Sequence, residues 1–80
     1  DKEPPLFIMT DKKDGNIYVY ASDRGSGVDF EHATVQKADG AILIPEDYNA
    51  VYNYAVFEEF ETGSTITIPD NFGNILTVIY

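Results

Sequence analysis

The 80-residue chain contains no cysteine and no tryptophan, and it has only five basic residues against fourteen acidic ones. Without cysteine there is no disulfide framework, no thiolate nucleophile and no zinc–thiolate site. The formal net charge of −9 would repel nucleic-acid phosphates and anionic lipid headgroups. We therefore expect neither a nucleic acid nor a membrane as a partner.

Long hydrophobic runs are also missing, since no apolar stretch approaches the roughly 18 residues that a membrane span needs. No signal-peptide pattern is present either. Eighty residues predict a single domain with a thin core, because a chain of this length buries only about 60–65% of its unfolded surface. The chain opens with Asp1-Lys2-Glu3-Pro4-Pro5 and lacks an initiator methionine, so we interpret it as a module of a longer protein. Residues 1–5 are predicted to be a linker and residues 6–80 the domain.

What the chain does contain is a strong strand signal. Aromatic residues make up 14% of it, and apolar and polar residues alternate with a period of two. In segment 16–21, Ile17, Val19 and Ala21 share one face, while Tyr18 and Tyr20 share the other. Turn sequences, including two Asp-Gly pairs, separate such segments.

From this pattern we predict seven strands, at residues 6–10, 16–22, 29–37, 41–44, 50–57, 63–68 and 74–80. Residues 45–47 leave room for a short helical turn. Seven short strands without helices between them predict an all-β sandwich of two antiparallel sheets.

Two stretches are more specific than the general pattern. Segment 19–28 ends in D-x-x-S-G-V, beginning at Asp23, and segment 63–74 ends in D-x-x-G-N, beginning at Asp70. In this order and spacing, they resemble the bacterial Ig-like domains that recur as tandem modules in secreted and cell-wall-attached proteins. The resemblance covers most of the chain. It implies an Ig-like β-sandwich in which both aspartates lie in loops at the same end.

The chain departs from that family pattern in one place. Family members usually carry an aromatic residue early in the penultimate strand, where this sequence reads Gly63-Ser64-Thr65. We expect Phe60 or Phe57 to fill the corresponding space.

The two aspartates are predicted to fasten their loops. An aspartate at a strand end can accept hydrogen bonds from the backbone N–H groups of the following turn. A calcium site between the two loops is the alternative, because calcium needs six to eight oxygen ligands. Candidate oxygens belong to Asp23, Asp29, Asp70, Asn71 and Asn74. Apart from calcium, no metal or other cofactor is expected.

No pattern of residues indicates catalysis. His32 is the only histidine and is predicted to be a surface residue of the third strand. A triad with Ser26 has no support, because neither a nucleophile elbow nor a glycine-rich oxyanion turn surrounds that serine. The acidic residues at 46–47 and 58–61 are interpreted as solvated charge rather than glycosidase carboxylates. We therefore expect no enzyme activity.

Tyrosines give the strongest hint of binding. Tyr18 and Tyr20 are predicted to point outward, while Tyr52 and Tyr54 share a face whose other members suggest a core position. Exposed tyrosines can stack on sugar rings or contact a protein partner, and they are also simply good strand formers. All three interpretations remain open at this point.

By resemblance, the chain is expected to be a non-catalytic spacer or presentation module of a bacterial secreted or cell-surface protein. The absence of cysteine in so small a domain also favours a bacterial source. The alternative is a carbohydrate- or protein-binding adhesion module that uses Tyr18 and Tyr20, with calcium as a possible aid. Expected partners are neighbouring domains of the same chain, a polysaccharide, or a host or matrix protein. We expect the domain to be a monomer.

Overall fold

The computed structural model describes residues 3–80, and Asp1 and Lys2 of the predicted linker lie outside the described residues. Eight strands and one 3₁₀ helix make up the described chain. The strands are β1 (Leu6–Lys13), β2 (Asn16–Ser22), β3 (Thr34–Gln36), β4 (Ile42–Leu43), β5 (Asp47–Asn49), β6 (Tyr54–Glu58), β7 (Thr65–Pro69) and β8 (Ile75–Ile79). The 3₁₀ helix, Phe30–His32, precedes β3.

The strands form two four-stranded antiparallel sheets, ordered β1-β2-β6-β5 and β4-β3-β7-β8. The first order matches the ABED sheet of an Ig-type sandwich, and the second matches its CFG sheet with one strand added beside C. The predicted all-β sandwich of two antiparallel sheets is therefore confirmed, with eight strands in place of about seven.

The core lies between the sheets and follows from the alternation of side chains along the central strands. Ile17, Val19 and Ala21 of β2 point inward and are almost completely buried. Ile66 and Ile68 of β7 meet them from the opposite sheet. The remaining buried apolar residues that share this cluster are Phe30, Ala33, Val35, Ala55, Phe57 and Phe60.

The hairpin between β1 and β2 forms as its Asp-Gly sequence predicts. Asp14 and Gly15 have φ values of 53° and 81°, the left-handed conformation that two-residue hairpin turns require. Strand β1 continues to Lys13 rather than ending at residue 10, and its register shifts between Phe7 and Met9. Pro5, within the predicted linker, is fully buried against the domain.

The predicted strand at 29–37 is wrong in its first half. Residues 30–32 form the 3₁₀ helix, because the chain here crosses from one sheet to the other. Phe30 anchors the crossing in the core, and the Asp29 N–H donates to the Pro69 carbonyl at 2.9 Å. His32 therefore lies on the helix rather than on a strand.

The predicted strand at 50–57 is also wrong in its first half. Residues 50–53 form a turn, because the Asn49 side chain accepts hydrogen bonds from the N–H groups of Val51 and Tyr52 at 2.9 and 3.0 Å. Asn53 completes the turn with a φ of 62°. No helical turn forms at residues 45–47, where the Glu46 N–H instead donates to the Val56 carbonyl.

Candidate functional site

Two loops meet at one end of the sandwich, as the two aspartate motifs predict. Residues 23–29 follow β2, and residues 70–74 connect β7 to β8. Val28 forms an isolated antiparallel bridge with Asp70. We call these two loops together the loop clasp.

Asn71 joins the two loops of the clasp directly. Its backbone N–H donates to the Gly27 carbonyl at 3.0 Å, and its side-chain amide donates to the Ser26 carbonyl at 2.8 Å. Gly27 has a φ of 89°, and a Cβ atom there would lie 3.2 Å from the Asn71 amide nitrogen. This position therefore favours glycine for both its conformation and its space.

Asp70 organises its own turn. Its side chain is buried, with only 2% of the residue exposed. Oδ1 accepts hydrogen bonds from the N–H groups of Phe72 and Asn74 at 2.8 and 2.9 Å. Oδ2 accepts one from the Asn74 amide at 2.8 Å. Burial alone would raise the pKa of Asp70, but these hydrogen bonds outweigh it, so its pKa lies below the ordinary value.

Asp23 lies beside Asp70 and has a different environment. Its Oδ1 accepts the Gly25 N–H at 2.7 Å, which forms the turn that the D-x-x-S-G-V motif predicts. Its Oδ2 is buried and has no hydrogen-bond partner among residues 3–80. The Asp23 side chain also contributes, as the smallest of the named causes, to the low pKa of Asp70. The two predicted aspartates are thus brought together.

The clasp offers few oxygens to a calcium ion. Among residues 3–80 there is no group of three or more histidine, aspartate or glutamate side chains arranged to hold a metal. Asp29 is engaged elsewhere, since its Oδ2 lies 2.8 Å from Nδ1 of His32. Asn71 turns its amide nitrogen into the clasp as a donor. Asp23 and Asp70 are the carboxylates that the clasp itself brings together.

His32 pairs with Asp29 at the surface. The histidine side chain is 70% exposed, so the pair is solvated. The hydrogen bond to Asp29 and the charge of that carboxylate raise the pKa of His32. The nearby Tyr48 hydroxyl donates to Glu31 Oε1 at 3.3 Å. Negative charge from Glu31 is the main reason that the pKa of Tyr48 is raised.

Three tyrosines cluster on the outer side of the β1-β2-β6-β5 sheet, and we call them the tyrosine face. Tyr54 lies between the other two, with its ring centroid 5.2 Å from that of Tyr18 and 5.7 Å from that of Tyr20. The Tyr18 ring is tilted by 59° to that of Tyr54, and the Tyr20 ring packs edge to face on it at 63°. Lys13 Nζ lies 5.3 Å from the Tyr18 ring centroid. All three tyrosines are half-buried.

The sequence did not assign Tyr54 to this face. The core-facing residues of β6 are Ala55 and Phe57, which pair with Val19 and Ile17 of β2. Tyr54 therefore points outward, opposite Tyr20, whereas Tyr52 lies in the turn before β6 and is 70% exposed. The alternation in β6 alone could have given this answer, had the turn at 50–53 been recognised.

One open groove of about 380 Å³ lies at the β4–β5 connection and was not anticipated from the sequence. Four apolar residues and two glutamates line it: Ile42, Leu43, Ile44, Pro45, Glu46 and Glu58.

Within residues 3–80, no helix has the length and apolar character to cross a bilayer. The chain matches no protein-family model, no curated protein and no solved structure.

Proposed function

We propose that the chain is a non-catalytic Ig-like module of a larger bacterial secreted or cell-surface protein, where it spaces, stiffens or presents neighbouring domains. The observation that carries this proposal is the course of the first and last strands. Strand β1 starts beside Ser22, at the clasp end, and β8 finishes beside Thr65, at the opposite end. Neighbouring domains joined to these strands would lie at opposite ends of the sandwich, whose longest extent is 33 Å.

The strand arrangement also suits a mechanical role. Force applied between the start of β1 and the finish of β8 runs along the strands. The β1–β2 ladder extends from Leu6, opposite Ser22, to Lys13, opposite Asn16. Such a force therefore loads these hydrogen bonds in shear, where several must break together, rather than one at a time.

The loop clasp adds stiffness at the end where β1 starts. The Asn71 backbone and side chain hold the carbonyls of Gly27 and Ser26, so the loop after β2 is tied to the turn before β8. Two loops joined in this way open together rather than separately. A neighbour attached at this end would therefore meet a fixed surface.

Tandem copies pulled in an atomic-force microscope test this proposal. We expect one cooperative unfolding event per copy, and a lower unfolding force for Asn71→Ala, which removes the amide donor to Ser26. Gln36→Ala, which removes an exposed amide from β3 of the other sheet, is the matched control and should keep the wild-type force. Extension at low force without discrete events would overturn the spacer proposal.

The tyrosine face supports a second candidate function, binding of a polysaccharide or of a host or matrix protein. Three aromatic rings on one sheet offer a surface of large area and low conformational cost. Neutral glycans suit the net charge of −9 better than acidic ones.

Backbone-amide NMR during titration with neutral cell-wall and plant polysaccharides tests this second candidate. Localised shifts at β2 and β6 that disappear in Tyr20→Ser, while the variant stays folded, would support it. Tyr52→Ser is the control, because Tyr52 is exposed but lies outside the tyrosine face. Unchanged spectra throughout would leave the tyrosines with a purely structural role.

A further inference from the structure

The four edge strands of the two sheets are protected unequally. Strand β1 carries Lys12 and Lys13 and a register irregularity, all of which discourage pairing with another chain. Strand β4 has only two residues, and β5 has three, beginning with Asp47. Strand β8 is the exception. Its five residues, Ile75–Ile79, include no charge and no proline, and its pairing with β7 is regular.

The backbone of β8 is available on its outer side. At the two ends of the β7–β8 ladder, the Tyr80 N–H donates to Ser64 and the Asp70 N–H donates to Asn74. Because hydrogen-bonded and non-hydrogen-bonded pairs alternate in antiparallel ladders, Leu76 and Val78 also direct their backbone groups toward β7. Ile75, Thr77 and Ile79 therefore direct theirs away from it.

Nothing within residues 3–80 pairs with that outer side. Strand β8 ends its sheet, and although β1 comes near it from the other sheet, the two strands share no backbone hydrogen bonds. The side chains of the same three residues are also exposed, Ile75 to 56% and Ile79 to 68%. The outer edge of β8 thus combines unpaired backbone groups with exposed apolar side chains.

We propose that β8 pairs antiparallel with β8 of a second copy of this chain, about a two-fold axis at Thr77. The sequence Ile75-Leu76-Thr77-Val78-Ile79 is close to symmetric about its centre. A two-fold axis there sets Thr77 opposite Thr77 of the second copy and Ile75 opposite Ile79, so like residues meet. The same register joins all the outward backbone groups, because each of these three pairs exchanges two hydrogen bonds.

The lack of charge at this edge limits the repulsion between two copies. Two copies that each carry −9 repel one another over most approaches. The outer face of the β7–β8 ladder consists of Thr65, Thr67, Pro69, Ile75, Thr77 and Ile79, none of which is charged. A second copy therefore meets no charged side chain on this face. The pairing would join two four-stranded sheets into one continuous sheet of double width.

Sedimentation equilibrium over a range of concentrations tests the dimer. An edge-only contact is smaller than a standard interface, so we expect a dissociation constant of roughly 10 µM to 1 mM. Thr77→Lys places like charges opposite each other and should weaken dimerisation at least about tenfold. Gln36→Lys, two strands away on the same sheet, adds the same charge and should leave the dimer intact. A wild-type chain that stays monomeric at millimolar concentration, or equal weakening by both variants, would overturn the proposal.

The register has its own test, since the chain contains no cysteine. A Cα–Cα separation of about 5.5 Å in the symmetric pair at residue 77 is within disulfide range. Thr77→Cys should therefore form a covalent dimer rapidly on mild oxidation. Ile75→Cys should not, because the two-fold axis places the equivalent residues about 14 Å apart, four residues along the strand. Cross-linking at equal rates, or faster at residue 75, would contradict this pairing.

This proposal is independent of the proposed spacer function and differs from the monomer expected from the sequence. Residues 75–79 alternate like any half-buried strand, and sequence alone does not say which strands are edges. A failure of the sedimentation test leaves the pulling experiment unaffected, so the two proposals can fail separately.

Discussion

Asn74 donates two hydrogen bonds to Asp70, one from its backbone N–H at 2.9 Å and one from its side-chain amide at 2.8 Å. Both reach a carboxylate that is only 2% exposed. The pair closes the turn between β7 and β8 and gives the clasp its shape. Because the donors favour the ionised form of Asp70, the structure of this turn is linked to pH.

The first prediction concerns acid stability. The pKa of Asp70 lies below its ordinary value of 3.8, so its ionised form stabilises the fold at pH above 3.8. That stabilisation is lost as the pH falls through the lower, folded-state pKa. We expect urea-unfolding free energies to decrease between about pH 4 and pH 2, and the decrease to be smaller in Asp70→Asn.

A control separates the carboxylate from its neighbours in the turn. Phe72→Ala removes an exposed side chain but keeps the backbone N–H that donates to Asp70. It should therefore retain the wild-type dependence on acid. If Asp70→Asn and the wild type lost stability in parallel, the hydrogen bonds of this turn would not be the source of the effect.

The second prediction concerns His32, whose imidazole gives a single resolvable NMR titration because the chain has no other histidine. The Asp29 carboxylate raises the pKa of His32 above 6.5. A group with a raised pKa stabilises the fold below pH 6.5, and this contribution is lost as the pH rises through the folded-state value. We expect the measured pKa to exceed 6.5 in the wild type and to fall in Asp29→Asn.

Salt provides a further check on His32. The histidine side chain is 70% exposed, so added salt should screen the attraction and lower its pKa toward the ordinary value. A His32 pKa of 6.5 or less at low salt would mean that the pair with Asp29 does not persist in solution.

The third prediction concerns the aromatic end of the core. Phe57 is fully buried, and Phe60, which packs edge to face on it at 6.3 Å, also contacts Tyr80 at 4.8 Å. Both phenylalanines thus lie in the core. Phe57→Ala should cost about 3–5 kcal/mol of unfolding free energy, which is a large part of the stability of so small a domain.

An exposed phenylalanine gives the matched comparison. Phe72 is 67% exposed, so Phe72→Ala should change the unfolding free energy by no more than about 0.5 kcal/mol. Circular dichroism during urea unfolding measures both variants. Similar losses for Phe57→Ala and Phe72→Ala would contradict the assignment of the core.

The sequence predicts the fold best where local and long-range preferences agree. The alternation in β2 identified its buried face, and Asp14-Gly15 identified the first hairpin, because both signals act over a few residues. The predicted strands at 29–37 and 50–57 were each wrong in their first half. In the first segment, a 3₁₀ helix after Asp29 interrupts a run with good strand propensity. In the second, the Asn49 side chain accepts backbone N–H groups and forms a turn instead.

For the candidate sites too, local sequence predicts some features, while others depend on contacts between distant parts of the chain. The two aspartate motifs predicted that Asp23 and Asp70 lie at the same end, and the structure places them side by side. The link from Asn71 to Ser26 spans 45 residues, and no local pattern encodes it. The outward position of Tyr54 was not predicted, because the turn before β6 changes which residues of this strand face the core. The exposure of the β8 edge depends on the order of strands within its sheet, which no local pattern encodes.

The fourth prediction concerns calcium. In the clasp, Asp70 Oδ1 already accepts two N–H groups, Asp70 Oδ2 accepts the Asn74 amide, and Asp23 Oδ1 accepts the Gly25 N–H. A calcium ion needs six to eight oxygens, and Asp70 Oδ1, which already accepts two N–H groups, would have to give up a donor to bind it. We therefore expect about 5 mM calcium to shift the melting temperature by no more than magnesium does at equal ionic strength.

The informative residue for that measurement is Asp23, whose Oδ2 is buried without a hydrogen-bond partner among residues 3–80. A calcium-specific rise of several degrees, abolished by Asp23→Asn, would show that this oxygen is a ligand and that the turn rearranges to admit the ion. If calcium and magnesium act alike, the unsatisfied oxygen is instead a local cost of packing two carboxyl groups together. In that case Asp23→Asn should raise the melting temperature, because an amide nitrogen in place of Oδ2 can donate to the Asp70 carboxylate while Oδ1 still accepts the Gly25 N–H.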